Sequence, residues 1–171
     1  MSHLLEVKNL DVKFDTDEGR ITAVENISLS VDQGEVLGIV GESGSGKSVT
    51  AKSIMKLNPG NTSYNEDAEI ILDNENVLQF TSKQDLKKIR GGKVSMIFQE
   101  PMASFAPAIK IGAQMVEQLL IHKNINKDEA KSISINMLKR VGIADAEKRF
   151  NQYAFESVSY THLTLPTSSW V

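Results

Sequence analysis

Val36-Leu37-Gly38-Ile39-Val40-Gly41-Glu42-Ser43-Gly44-Ser45-Gly46-Lys47-Ser48 is the stretch on which the fold of this chain turns. Its first five residues are a continuous apolar run of strand length, the pattern of a strand buried on both faces of a parallel sheet. The next eight match Gly-x-x-x-x-Gly-Lys-Ser, a loop built to hold phosphates. Glycines let the backbone turn with positive φ and aim its N–H groups at phosphate oxygens. A helix starting near Gly46 adds the positive end of its dipole. Lys47 supplies a mobile positive charge to the β- and γ-phosphates, and the Ser48 hydroxyl suits Mg²⁺. A glycine-rich turn that happens to carry Lys-Ser is the bland alternative, with a chance occurrence well below ~1% at ordinary residue frequencies. The flanks argue against it: after the loop, residues 49–57 place Ala51, Ile54 and Met55 at helical spacing, up to the stop Asn58-Pro59-Gly60. Residues 41–48 are therefore expected to hold a nucleoside triphosphate.

Before the loop, Leu5, Val7, Leu10, Val12 and Phe14 alternate with polar residues, with a phase slip near Asn9 that reads as a bulge. Residues 15–20 are turn-like with Gly19 as the turning point, and Ile27, Leu29 and Val31 alternate again. After the loop, residues 68–72 predict a strand. Ser82 and Asp85 open a short helix over 82–90, ended by Gly91-Gly92. Val94-Ser95-Met96-Ile97-Phe98 is a second buried-strand candidate and runs straight into Gln99.

Beyond Pro101 the pattern is helical. Residues 111–123 carry Met115, Val116, Leu119 and Leu120 on one face. Asn126 and Glu129 form a capping box for a helix with Ala130, Ile133, Met137, Leu138 and Val141 inward, closed by Gly142. A shorter helix is expected over 144–153. The expected fold is α/β, a P-loop NTPase with a β-rich nucleotide-binding part over residues 1–100 and a helical subdomain over 101–156.

The 171 residues suffice for one domain with a real core. Hydrophobic residues at 40% and charged residues at 24% are ordinary for a soluble globular protein. A net charge of -3 gives no electrostatic reason to expect nucleic acid as a partner, and the basic residues around Lys83 to Arg90 read as a solvated helix face. With no cysteine there are no disulfides or thiolate metal sites. His3, His122 and His162 have no ligand-spaced companions, and the six methionines read as core fillers. The first residues lack the basic segment and apolar run of a secretion signal, and no stretch reaches the ~20 apolar residues that cross a bilayer. The expectation is a cytoplasmic domain whose membrane role, if any, runs through a partner.

The loop Gly-Glu-Ser-Gly-Ser-Gly-Lys-Ser and the block Val94-Ser95-Met96-Ile97-Phe98-Gln99-Glu100-Pro101-Met102 together closely resemble ATP-binding subunits of ABC transporters, in particular the oligopeptide/dipeptide importer branch. The stretches 4–10, 23–29 and 102–114 look the same way, so the likeness covers about residues 3–156. It implies ATP and Mg²⁺ as cofactors and an ABC ATPase fold. It implies that Gly41, Glu42, Ser43, Gly44, Ser45, Gly46, Lys47 and Ser48 hold the phosphates, and that Phe14 stacks on adenine. Lys47 and Gln99 take the catalytic roles, and Ser48 and Gln99 the metal. Gln99 matches the glutamine that contacts metal and attacking water, where a neutral amide accepts from water and donates to phosphate without adding charge. The implied partners are membrane-spanning permease subunits and a second ATP-binding subunit at the cytoplasmic face of the cell membrane. A peptide substrate is then reached only through the complex, and nucleic acid is not a partner.

Two segments depart from the family pattern. Ser104-Phe105-Ala106-Pro107 stands where Ser-Leu-Asn-Pro is usual, and Tyr153-Ala154-Phe155-Glu156 where Tyr-Pro-His-Glu is usual. The family also carries a Leu-Ser-Gly-Gly-Gln-like segment, an apolar strand ending in Asp-Glu and a switch histidine. No run of four apolar residues followed by Asp-Glu occurs here. Residues 157–171, rich in Thr, Ser and β-branched residues, fit neither the family nor a helix and are read as a non-native tail. The fold is accordingly expected to be incomplete, and the chain to bind ATP without competent turnover. The alternatives are a P-loop ATPase outside transport and a catalytically incompetent nucleotide-binding fragment. The acidic balance and the likeness at 102–114 weigh against the first of these.

Overall fold

Leu5–Thr16 (β1) and Gly19–Val31 (β2) pair as a long antiparallel hairpin in the computed structural model, which describes residues 3–100 and 104–156. Further along lie α1 (Lys47–Ile54), β3 (Thr62–Tyr64), β4 (Glu69–Leu72), β5 (Glu75–Asn76), a 3₁₀ turn (Val77–Gln79) and α2 (Lys83–Ile89). These belong to one compact unit, Met1–Arg90. A second unit, Gly91–Val171, holds α3 (Ile111–His122), α4 (Lys127–Arg140), α5 (Ala146–Phe150) and a 3₁₀ turn (Ala154–Glu156).

The sheet of the first unit has the order β2-β1-β4-β5, with β3 also on β1. One side of β1 carries β2 throughout. The other side is shared, with β4 along Leu5 to Lys8 and β3 along Val12 to Phe14. Val7, Leu10 and Val12 are all buried, although a spacing of three between the first two breaks the two-residue alternation of a flat strand. A bulge absorbs the extra residue: the register shifts between Val7 and Leu10, and Asn9 takes a left-handed φ of 48°. Asparagine tolerates that conformation better than most residues. The Asn65 side chain accepts from the Asp11 N–H at 2.7 Å and donates to the Asn9 carbonyl at 2.6 Å, so the bulged backbone is not left unpaired. Gly19, at φ 124°, turns the hairpin as expected. β2 then begins well before Ile27, because β1 supplies a ladder whether or not the side chains alternate.

The two expected parallel strands do not form. Residues 36–40 and 95–98 adopt no regular strand, and Val36 and Val40 are each 94% exposed. A strand exists only by hydrogen bonding to a neighbour, and among the described residues neither stretch is given one. Apolar composition marks what can be buried, not what it is paired with.

α1 also differs in its inward face. It ends at Ile54, and its buried residues are Thr50 and Ser53, with Met55 just beyond. Their hydroxyls donate to the carbonyls of Gly46 (3.0 Å) and Val49 (2.9 Å), which lets small polar side chains sit inside at little cost. Ala51 and Ile54 are half-buried instead. α2 starts where expected: Ser82 Oγ accepts from the Asp85 N–H at 3.1 Å and donates to Asp85 Oδ2 at 2.6 Å. That hydroxyl, with Lys88 next, holds the Asp85 carboxyl below its ordinary 3.8. Arg90 does not join the solvated face. Its guanidinium turns inward to the carbonyls that end α1.

In the second unit Ile111, Met115, Val116 and Leu119 of α3 pack with Ala130 and Leu138 of α4 and with Ala146 and Phe150 of α5. The arc is narrower than the apolar pattern suggests, and Leu120 (41%) and Val141 (38%) are left exposed. Ile133 and Met137 lie at the margin of the cluster. Asn126 caps α4 by accepting from the Glu129 N–H at 2.9 Å, and Gly142, at φ 79°, closes it. Phe150 lies so close over Gly112 that a Cβ there would meet its ring at 2.5 Å.

Leu138→Ala should destabilise the helical unit by about 2–5 kcal/mol, as for buried leucines generally, whereas Leu120→Ala should change stability by less than about 1 kcal/mol. Urea unfolding followed by far-ultraviolet circular dichroism compares them. A second expectation concerns pH. Asp85 has a depressed folded pKa, so its contribution to stability is present above 3.8 and is lost as pH falls through the folded value. Ser82→Ala should return the Asp85 titration, followed by NMR, toward 3.8, and the stability gap to wild type should shrink in acid.

Candidate nucleotide-binding site

The loop of residues 41–46 delivers the chain to the start of α1, and Gly46 is the residue on which that delivery depends. It caps the helix in a left-handed conformation, φ 86° and ψ -4°. A Cβ on it would lie 2.7 Å from the Ala23 carbonyl oxygen and 3.0 Å from Val24 Cγ2. The helix therefore begins in van der Waals contact with β2, at a distance only glycine permits. Gly44 has a similar φ of 84° but open space around it.

No side chain caps the first turn of α1, and no acidic residue stands in it. Its leading N–H groups and the positive end of the dipole are thus available to an anion. Lys47 Nζ donates to the carbonyls of Gly41 (2.8 Å) and Glu42 (2.6 Å) and to Ser45 Oγ (3.2 Å). The Ser45 N–H in turn donates to the Glu42 carbonyl at 3.2 Å. Lys47 is half-buried and held on the loop that it follows, while Ser48 is exposed. A cavity of about 250 Å³ is lined by Ala23, Gly44, Ser45, Gly46, Lys47, Ser48 and Val49. Donors, a fixed cation and a hydroxyl in one concave place suit phosphate groups and a divalent cation bound to them.

The structure thus brings Gly44, Ser45, Gly46, Lys47 and Ser48 together around one cavity, with Gly41 and Glu42 tied in through their carbonyls and Ser43 exposed between them. Phe14 is half-buried in β1, paired with Ile21 and Thr62, and does not line the cavity. Gln99 lies in the second unit, exposed and outside regular secondary structure. Nothing in the local sequence marks Ala23 as a site residue; its place follows from a register shift of β2 between Thr22 and Val24 and from the close approach of Gly46. Among the described residues no group of acidic, histidine or cysteine side chains is arranged to hold a metal by itself. No helix among them is long and apolar enough to cross a membrane. Residues 157–171 lie outside the described residues.

A phosphate-binding loop that opens a helix resting on a β-strand defines a P-loop nucleotide-binding protein. The chain belongs to the ABC transporter family, whose model matches residues 24–163, a span that takes in residues 157–163 of the terminal stretch. It is similar to the oligopeptide transport ATP-binding protein OppD of Bacillus subtilis, at 42% identity over 91% of this chain and 43% of the relative. Similarity to the dipeptide transport ATP-binding protein DppD of Lactococcus lactis is 44% identity over 88% of this chain and 43% of the relative. The chain spans less than half the length of these curated relatives. In structure it resembles the ATP-binding cassette MJ0796 in a post-hydrolysis state bound to ADP and Pi. That match has a TM-score of 0.73 at 21% identity, over 97% of this chain and 66% of the other. The fold is therefore that of an ABC ATPase with its helical subdomain, the core sheet not being closed among the described residues.

Gly46→Ala should perturb both the loop and the start of α1, since the added Cβ meets backbone and φ is left-handed. Gly44→Ala should carry only the conformational cost, about 1–2 kcal/mol. Titration with a fluorescent ATP analogue is expected to show loss of binding for the first and retained, weakened binding for the second.

Proposed function

We propose that this chain is the ATP-binding part of an ABC importer for peptides, coupling ATP binding and hydrolysis to transport across the cytoplasmic membrane. The observation that carries this reading is the Gly41–Ser48 loop: a helix start with free amides, pressed on β2 by a glycine, with Lys47 fixed on the loop carbonyls. The names of the relatives, oligopeptide and dipeptide transport ATP-binding proteins, supply the substrate class.

In this reading residues 41–48 hold the phosphates of ATP. Lys47 would supply positive charge to the β- and γ-phosphates, and Ser48 and Gln99 would each offer an oxygen to Mg²⁺. Gln99 would also orient a water through its amide, and Phe14 would offer its ring to adenine. Mg²⁺, when bound, would supply further positive charge against that of the phosphates. The site is completed by a second ATP-binding subunit. Membrane-spanning permease subunits hold the assembly at the cytoplasmic face of the membrane and pass the peptide. Residues 1–171 alone bind ATP without competent turnover, because no Asp-Glu after an apolar strand is present to place a metal and polarise water.

Lys47→Ala should weaken ATP binding by roughly 10- to 100-fold, the value of a charge-assisted hydrogen bond, as read by calorimetry with Mg²⁺ present. Hydrolysis by the wild-type chain alone should stay at background. Lys47-dependent turnover of roughly 1–100 s⁻¹ would overturn the incompetence of the isolated chain while keeping the nucleotide site.

A further inference from the structure

The far end of α1, opposite the phosphate loop, is held by two cations that donate to four backbone carbonyls. Arg90 Nε donates to the Met55 carbonyl at 2.9 Å, and its Nη2 donates to the Lys56 carbonyl. Met55 is the C-cap of α1, and Lys56 follows it at a left-handed φ of 49°. From that position Lys56 Nζ reaches the carbonyls of Leu78 (3.0 Å) and Phe80 (2.8 Å), on the 3₁₀ turn between β5 and α2. Both side chains are half-buried. The chain that leaves α1 is thereby fastened to the turn before α2 and to the residue that ends α2.

We propose that Arg90, through this clasp with Lys56, is a positioning residue for the nucleotide site: it sets the axial position of α1 and with it the direction of the Gly46–Ser48 amides. α1 has eight residues, so it is about 12 Å long at 1.5 Å per residue, and a short rod moved at one end moves at the other. Its N-terminal end rests on Ala23 through a contact that leaves no slack. At the C-terminal end the clasp opposes a tilt about that contact, alongside Asn58, whose amide donates to Ser53 Oγ and to the Val49 carbonyl. The guanidinium also satisfies carbonyls that a helix end leaves open, and its charge complements the negative end of the dipole. A generic basic residue on a solvated face does neither. The fork geometry matters, because two carbonyls of consecutive residues are met by two N–H groups of one rigid plane.

The inference rests on the nucleotide-binding reading only for its last step, and the experiment separates the two. The full chain is prepared as wild type, Arg90→Met, Arg90→Lys and Lys88→Met, the last an exposed α2 control. Amide resonances of Gly44, Gly46 and Lys47 are recorded without nucleotide, and ATP affinity is then measured well below the thermal midpoint. Arg90→Met should shift the loop amides and weaken ATP roughly 2- to 30-fold, the range of changes carried through packed elements. Arg90→Lys should fall between it and wild type, and Lys88→Met should match wild type. A lowered thermal midpoint with unmoved loop amides and unchanged affinity would overturn the proposal and leave Arg90 a purely structural residue. If Arg90→Met does not fold, unmoved amides and wild-type affinity in Arg90→Lys overturn it equally. A wild-type chain that binds no ATP defeats the nucleotide reading instead, and the amide shifts still decide the role of Arg90.

Discussion

The contact between Gly46 and the Ala23 carbonyl organises the nucleotide-binding end of the first unit. A helix offers anion-binding amides only at its N-terminus, and those amides serve a ligand only if something fixes where the terminus stands. Here β2 does so. The approach is close enough that even a methyl group would collide, and the left-handed φ of Gly46 turns the chain from loop to helix at that point. Ala23 in turn is the extra residue at a register shift in β2, held between Thr22 and Val24, which pair with Lys13 and Val12 of β1, and β1 is braced on its other side by β3 and β4. The ladder, the glycine and the helix start form one mechanical series.

The same unit relies heavily on side chains that hold backbone. Asn65 secures the bulge in β1, Asn58 donates to Ser53 Oγ and the Val49 carbonyl on α1, and Lys47 closes the loop onto its own carbonyls. Lys56 and Arg90 do the same at the other end of α1. Burial, with the Arg90 charge second, holds the Lys56 ammonium below its usual 10.5, so the clasp draws two like charges together and its carbonyls must offset that repulsion. In the helical unit Gln114 plays the comparable part. Its amide accepts from the Ala106 N–H and donates to the carbonyls of Ala106 and Ile109, shaping the segment that departs from the family pattern. No buried side-chain nitrogen or oxygen among the described residues lacks a partner, as expected when polar groups inside are there to satisfy backbone.

Much of this was legible in the residues themselves, wherever the cause was local. The phase slip at Asn9, the turn at Gly19, the caps at Ser82 and Asn126, and the stop at Gly142 each follow from the backbone preferences of a few neighbouring residues. Gly41 to Ser48 belongs with them, since phosphate chemistry imposes its residue types at fixed spacing. The inward-facing polar residues Thr50 and Ser53 were not legible, because their hydroxyls find carbonyls that exist only once the helix has formed. Arg90 reads as one more basic residue on a solvated helix until the fold brings the end of α1 beside it.

The sequence by itself determined the phosphate loop, the helix caps and turns and the family, because a loop of eight residues and the pairs that cap a helix interact within their own reach. Only the tertiary structure decided which apolar stretches became strands. Residues 36–40 and 94–98 have the composition of buried strands, yet a strand is made by the hydrogen bonds of a neighbour that may lie anywhere along a chain. It likewise decided which residue holds each end of α1, with Ala23 at the start and Arg90 at the finish. Those contacts join residues far apart in sequence, and no local preference encodes them.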